Sequence, residues 1–121
     1  MKIIRRLTGG RVGDTLSEFE QVVLLALHRR EGEAYGASLH EEIHRSTGRD
    51  VAVPAIYVTL GRLQEKGLVS ARQEAGPTVR GGRGRKLFVL EDEGREALAR
   101  TRAFLERLWA DVDLRPAGGG P

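Results

Sequence analysis

Two sets of residues in this chain have the types and spacing for chemistry, and they call for different partners. The first is His40-Glu41-Glu42-Ile43-His44. On a helix, histidines at i and i+4 share a face and can hold zinc, while the glutamate after the first acts as general base in peptide hydrolysis. Such a site needs a third protein ligand. His28 is the only other histidine, there is no cysteine, and the residues after His44 do not continue the longer protease pattern. A carboxylate ligand would have to come from a position that nothing singles out. No other catalytic set accompanies it, and the glycines lack a P-loop's Gly-Lys-Ser/Thr ending. The expectation is no enzyme, no cofactor and no metal, with the match at His40, Glu41 and His44 incidental.

The second set is cationic. Arg80, Arg83, Arg85 and Lys86 crowd one Gly-rich segment, and Tyr57, Val58, Arg62 and Lys66 lie just upstream. A guanidinium forks onto phosphate oxygens or onto a guanine edge, and an ammonium does this less well. A small apolar side chain such as Val58 can meet a thymine methyl, and the Tyr57 hydroxyl can donate to a phosphate. Nearly all the cations of this chain are arginine, its formal charge is +3 and its isoelectric point is near 9.8. That balance leans towards an anionic partner. The run Arg80-Gly81-Gly82-Arg83-Gly84-Arg85 also mimics an RNA-binding arginine–glycine repeat, though in a single copy.

These side chains need elements to hold them. Ser17-Glu18-Phe19-Glu20 fits a capping box and starts a first helix that runs to about Arg29. Its apolar residues, Phe19, Val22, Val23, Leu24, Leu25 and Leu27, point in almost every direction, so it must be buried on nearly all sides. Glu31-Gly32-Glu33 reads as a turn. A second helix spans about Tyr35 to Thr47, with Gly48 as its stop. A third is opened by Pro54, runs to Lys66 and is closed by Gly67. Its Ile56, Leu60 and Leu63 form an inward stripe. Ala55, Tyr57, Val58, Gly61 and Arg62 are then left on the flanks and far side. A mid-helix glycine costs about 1 kcal/mol relative to alanine, so Gly61 on that side suggests a close approach to the backbone. Strands are expected at Leu68–Gln73 and Lys86–Leu90, the second alternating Leu87 and Val89 against Phe88 and Leu90. The connector between them holds four Gly, one Pro and three Arg, and so is a long hairpin tip. A last helix is expected from Asp92 to about Val112, with Ala97, Leu98, Thr101, Phe104, Leu105, Leu108, Trp109 and Val112 on one stripe.

The order of these pieces resembles the PadR-like winged-helix transcriptional regulators. The matching residues are Tyr35-Gly36, Tyr57-Val58-Thr59-Leu60, Arg62-Leu63, Glu65-Lys66-Gly67-Leu68-Val69 and Leu90 through Leu98. The match covers Ser17 to Val112, and its specificity lies in order and spacing. It implies a homodimer built through the last helix, binding a pseudo-palindromic operator on double-stranded DNA, usually as a repressor. It also implies that a small aromatic ligand can lodge between the dimer helices, near Phe104 and Trp109. One helix after the wing matches the short form of the family. Two departures stand out: Val53 precedes the helix-opening proline where a Ser or Thr cap is frequent, and Glu91 follows the wing where Thr is frequent. Each lost cap costs about 1 kcal/mol, and Asp50 and Asp92 are candidates to compensate.

The expected architecture is mainly α with a small β-hairpin wing, a winged helix-turn-helix followed by a C-terminal dimerisation helix. Residues 1–15, with Lys2, Arg5, Arg6 and Arg11, form a basic flexible arm. Residues 16–91 form the DNA-binding domain, 92–113 the dimerisation helix and 114–121 a disordered tail. The DNA-binding set is Tyr35, Ala55, Tyr57, Val58, Arg62, Lys66, Arg80, Arg83, Arg85 and Lys86. The dimer and effector set is Leu98, Thr101, Phe104, Leu105, Leu108, Trp109 and Val112. With no apolar run long enough for a membrane span and no signal-peptide core, a cytoplasmic location is expected. The competing readings are a winged-helix module that binds protein, and a regulator of the MarR type, which carries an additional N-terminal dimerisation helix.

Overall fold

A computed structural model describes residues 15–75 and 85–117. The basic arm, the wing tip with Arg80 and Arg83, and the end of the tail lie outside the described residues. Among the described residues, four helices and three strands follow in the order α1 (Glu18–Arg29), β1 (Glu33–Ala34), α2 (Gly36–Thr47), α3 (Val53–Glu65), β2 (Val69–Glu74), β3 (Arg85–Leu90) and α4 (Asp92–Trp109).

The helix starts and stops come from local chemistry. At α1 the capping box is complete: the Glu20 N–H donates to the Ser17 hydroxyl, and the Ser17 N–H donates to the Glu20 carboxylate. Helix α2 ends on Gly48 at φ 76°, whose N–H donates to the His44 carbonyl. A left-handed residue of this kind ends a helix at little cost when it is glycine. Pro54 sits in the first turn of α3, where its missing N–H loses nothing. The cap itself is Ala52, and no side chain serves there; Asp50 does not compensate. At α4 the N-cap is Glu91, also without a side-chain cap bond. Its carboxylate instead accepts from the Ser70 hydroxyl at 2.6 Å, tying the helix entrance to β2. Asp92 pairs with Arg95 rather than capping.

The sheet is antiparallel, ordered β1-β3-β2, with Val69 opposite Leu90 and Glu74 opposite Arg85. Strand β1 adds a third member that the turn reading of Glu33 did not anticipate. Its Glu33 and Ala34 lie opposite Val89 and Phe88. Two residues carry almost no pattern of their own, so only pairing with β3 makes them a strand.

One core joins the elements. Leu24 and Leu27 of α1, Leu39 and Ile43 of α2, and Ile56, Leu60 and Leu63 of α3 pack with Val69, Phe88 and Leu90 of the sheet. Leu25 is half exposed, so α1 is not covered on every side by its own subunit. Only the first half of α4 joins this core. Ala97 is buried, Leu98 packs against the cluster, and Gly94 lies so close to the Leu68 carbonyl that a Cβ would meet it at 2.5 Å.

The last helix ends three residues sooner than expected. Ala110 leaves helical geometry with ψ at 128°, Asp111 turns to φ 62°, and the Val112 N–H donates back to the Trp109 carbonyl. Aspartate tolerates the left-handed conformation better than most side chains, which makes Asp111 a workable stop. No helix among the described residues is long and apolar enough to cross a membrane.

Candidate nucleic-acid interface

The five-residue turn 48–52 hands α2 to α3, and an ion pair braces it from α1. Arg49 reaches Glu18 with both terminal nitrogens, at 2.7 and 3.2 Å, and lies over the Phe19 ring. Lys66, at the far end of α3, donates to Glu20 at 2.7 Å. Glu20 is nearly buried. Burial alone would raise its pKa, but the hydrogen bonds from Lys66 and the Ser17 cap outweigh that and hold it below the ordinary carboxylate range. Lys66 thus serves in the structure as a brace between α1 and α3. Within α2, the buried Glu42 accepts from Ser46, Arg45 and Arg30, and these bonds lower its pKa to about 2. It joins the end of α1 to the middle of α2.

Braced in this way, α3 turns a lean face outwards. Ile56, Leu60 and Leu63 are fully buried, while Ala55, Tyr57, Val58, Gly61 and Arg62 are exposed. Val58 stands out furthest among the apolar ones, at 58 % exposure. Arg62 makes no ion pair among the described residues. Tyr57 is held at its ring. Its edge packs on Phe88, with centroids 6.1 Å apart, and its hydroxyl end covers Gly36, where a Cβ would sit only 2.3 Å away. Gly36 is therefore the residue that lets the tyrosine lie flat across the start of α2.

The wing root is organised around Tyr35. The Arg85 guanidinium stacks 4.1 Å above its ring, within cation–π range. The Tyr35 hydroxyl donates to Glu74, the residue opposite Arg85 in the sheet, and Glu74 also pairs with Arg72 at 3.4 Å. The shared hydrogen bond raises the Tyr35 pKa and lowers that of Glu74. Tyr35 thereby acts as a post for the base of the wing. Lys86, next to Arg85 in β3, is exposed and makes no ion pair among the described residues. Sequence reasoning marked Tyr35 for contact; its bonding partners, Glu74 above all, carried no local signal.

The dimer set divides. Thr101 is a correction: it is buried in its own subunit, where its hydroxyl accepts the Leu16 N–H at 3.0 Å. A threonine on an apolar stripe can satisfy its hydroxyl inside the protomer as well as at a seam. Phe104, Leu105, Leu108, Trp109 and Val112 are exposed, and Leu114 beyond them is exposed too.

His40 Nε2 lies 3.6 Å from the exposed Asp50 carboxylate, on an open cleft of about 480 Å³ that also takes in Arg30, Glu41, His44 and Arg45. Among the described residues no group of three or more His, Cys, Asp or Glu is arranged to hold a metal ion. Glu41 points to solvent and reaches Arg30 at 3.6 Å.

Known proteins share this fold. The sequence profile of the "Transcriptional regulator PadR-like family" matches residues 23–100. Transcriptional regulator Rv3488 of Mycobacterium tuberculosis is 35% identical over 85 residues, which cover 70% of this chain and 75% of that protein. Among solved structures, a PadR family transcriptional regulator from Eggerthella lenta superposes with a TM-score of 0.59 at 24% identity, covering 88% of this chain and 80% of its own. F93 from STIV, described as a winged-helix DNA-binding protein, superposes at 0.58 and 17% identity, covering 77% and 92%. The two superpositions establish the winged helix-turn-helix fold.

Proposed function

Because the chain belongs to the PadR-like family of transcriptional regulators, and is thus a winged-helix DNA-binding protein and not an enzyme, we propose that it binds a pseudo-palindromic operator as a homodimer and acts there as a repressor. One observation carries this reading: the exposed residues segregate. The lean, arginine-bearing face of α3 and the cationic base of the wing lie on one set of elements, and the longest run of exposed large apolar side chains among the described residues, Phe104 to Leu114, lies on the second half of α4 and just beyond it. A lean face suits a groove, and an apolar face suits a copy of itself.

In this reading α3 lies in the major groove. Residues near the start of such a helix reach base edges. Val58 meets a thymine methyl, Arg62 forks onto guanine or clasps a phosphate, and Ala55 and Tyr57 flank them. Arg80, Arg83, Arg85 and Lys86 hold the backbone, and their contribution comes from released counterions, so it is sensitive to salt and blind to sequence. Two α4 helices pair through Leu105, Leu108 and Trp109. A flat aromatic ligand lodged beside Phe104 and Trp109 would change the spacing of the two α3 helices and release the operator.

The test is selection of bound duplexes from a random pool at two salt concentrations. An inverted repeat is the expected product. A chain that sediments as a monomer and enriches no duplex at either salt refutes the proposal. Replacing the four wing cations with Ala should weaken binding to every duplex and flatten its salt dependence; an unchanged slope removes the wing from the interface.

A further inference from the structure

The described glycines sort by what each one does inside the protein. Gly32, Gly48 and Gly67 have positive φ, where other residues are strained. Gly36 and Gly94 sit in helices under close neighbours, the Tyr57 ring and the Leu68 carbonyl. Gly61 fits neither group. It lies inside α3 at an ordinary helical φ, and a Cβ built on it meets nothing within 4 Å. Glycine there weakens the helix and relieves no crowding within the subunit.

Its neighbours give the missing partner. On a helix, residues three and four apart adjoin, so Gly61 is bordered by Tyr57, Val58, Gln64 and Glu65, with Arg62 next in sequence. All of these are exposed. The gap between Val58 and Tyr57 on one side and Gln64 and Glu65 on the other is a notch in the outer face of α3.

We infer that Gly61 is a specificity-determining position, at which the absence of a side chain lets α3 sink into the major groove until a base edge meets the helix surface beside Val58. The inference rests on the reading that α3 is the helix that enters DNA. A Cβ at this point holds the helix away from the base edges. The contacts of Val58 and Arg62 lengthen, and the wing's phosphate contacts persist. Gly61 thus trades the stability of the free protein for a fitted complex.

Two measurements on Gly61→Ala should move in opposite directions. The folding equilibrium constant should rise about fivefold, the usual gain of alanine over glycine in a helix. Affinity for the selected operator should fall at least tenfold, while affinity for a random duplex at low salt stays within twofold. Gly61→Leu should lower operator affinity further. If Gly61→Ala binds the operator as tightly as the wild type, glycine is merely tolerated and the inference fails, while the DNA-binding reading stands. If operator and random duplex weaken equally, the notch does not face a base edge and the inference fails as well. If the wild-type protein binds no duplex, both readings fall together.

Discussion

Among the described residues, α3 and the end of α4 each leave several large apolar side chains in water, and these two surfaces are built differently. On α3, Tyr57 and Val58 stand among Ala55, Gly61 and Arg62, so apolar atoms are few and a cation is at hand. On α4, Phe104, Leu105, Leu108 and Trp109 recur at helical spacing, and Val112 and Leu114 extend the patch beyond the helix end. A groove in a duplex presents polar edges, phosphates and scattered methyl groups, and it rewards a thin surface with a few well-aimed donors. A second subunit offers matching apolar area, and it rewards breadth. The same class of exposed residue therefore carries different meaning according to what surrounds it.

Substitutions should separate the two surfaces. The largest effect is expected on α4. Burying a leucine contributes about 1.5–3 kcal/mol, and a two-fold interface counts each change twice. Leu108→Asp should therefore weaken self-association by at least ~100-fold, read by sedimentation over a concentration series, with the fold intact by circular dichroism. A dimer of unchanged affinity would move the seam elsewhere. Next comes Arg62→Ala, expected to cost about 1–3 kcal/mol per half-site if the side chain forks onto guanine. It should leave the dimer untouched and relax the preference at one base pair; a loss spread evenly over all sequences would assign Arg62 to a phosphate. Val58→Ala should have the smallest effect, about 1 kcal/mol per half-site from lost methyl contact. It should vanish on an operator with uracil in place of the contacted thymine. If the loss persists on uracil, Val58 reads something other than a methyl.

Several of these features could be read before any fold was known, because they depend on neighbours within one helical turn. Ser17 and Glu20 sit three residues apart and complete their own cap. Pro54 and Gly48 bound their helices whatever packs nearby. The stripe of Ile56, Leu60 and Leu63 told which side of α3 goes inwards, and so which side is left exposed. Family membership was legible for a related reason, since it resides in the order and spacing of such local pieces.

Other features needed the tertiary structure. Thr101 turns inwards because the Leu16 N–H, 85 positions away in the chain, arrives beside it. Lys66 becomes a brace because Glu20 lies across the helix pair, 46 positions away. Glu33 and Ala34 become a strand only beside β3, and Tyr35 becomes the post of the wing only when Glu74 and Arg85 close over it. Short-range periodicity determines which face of an element is apolar. Which partner meets that face depends on how distant segments pack, and that choice was made by the assembled core.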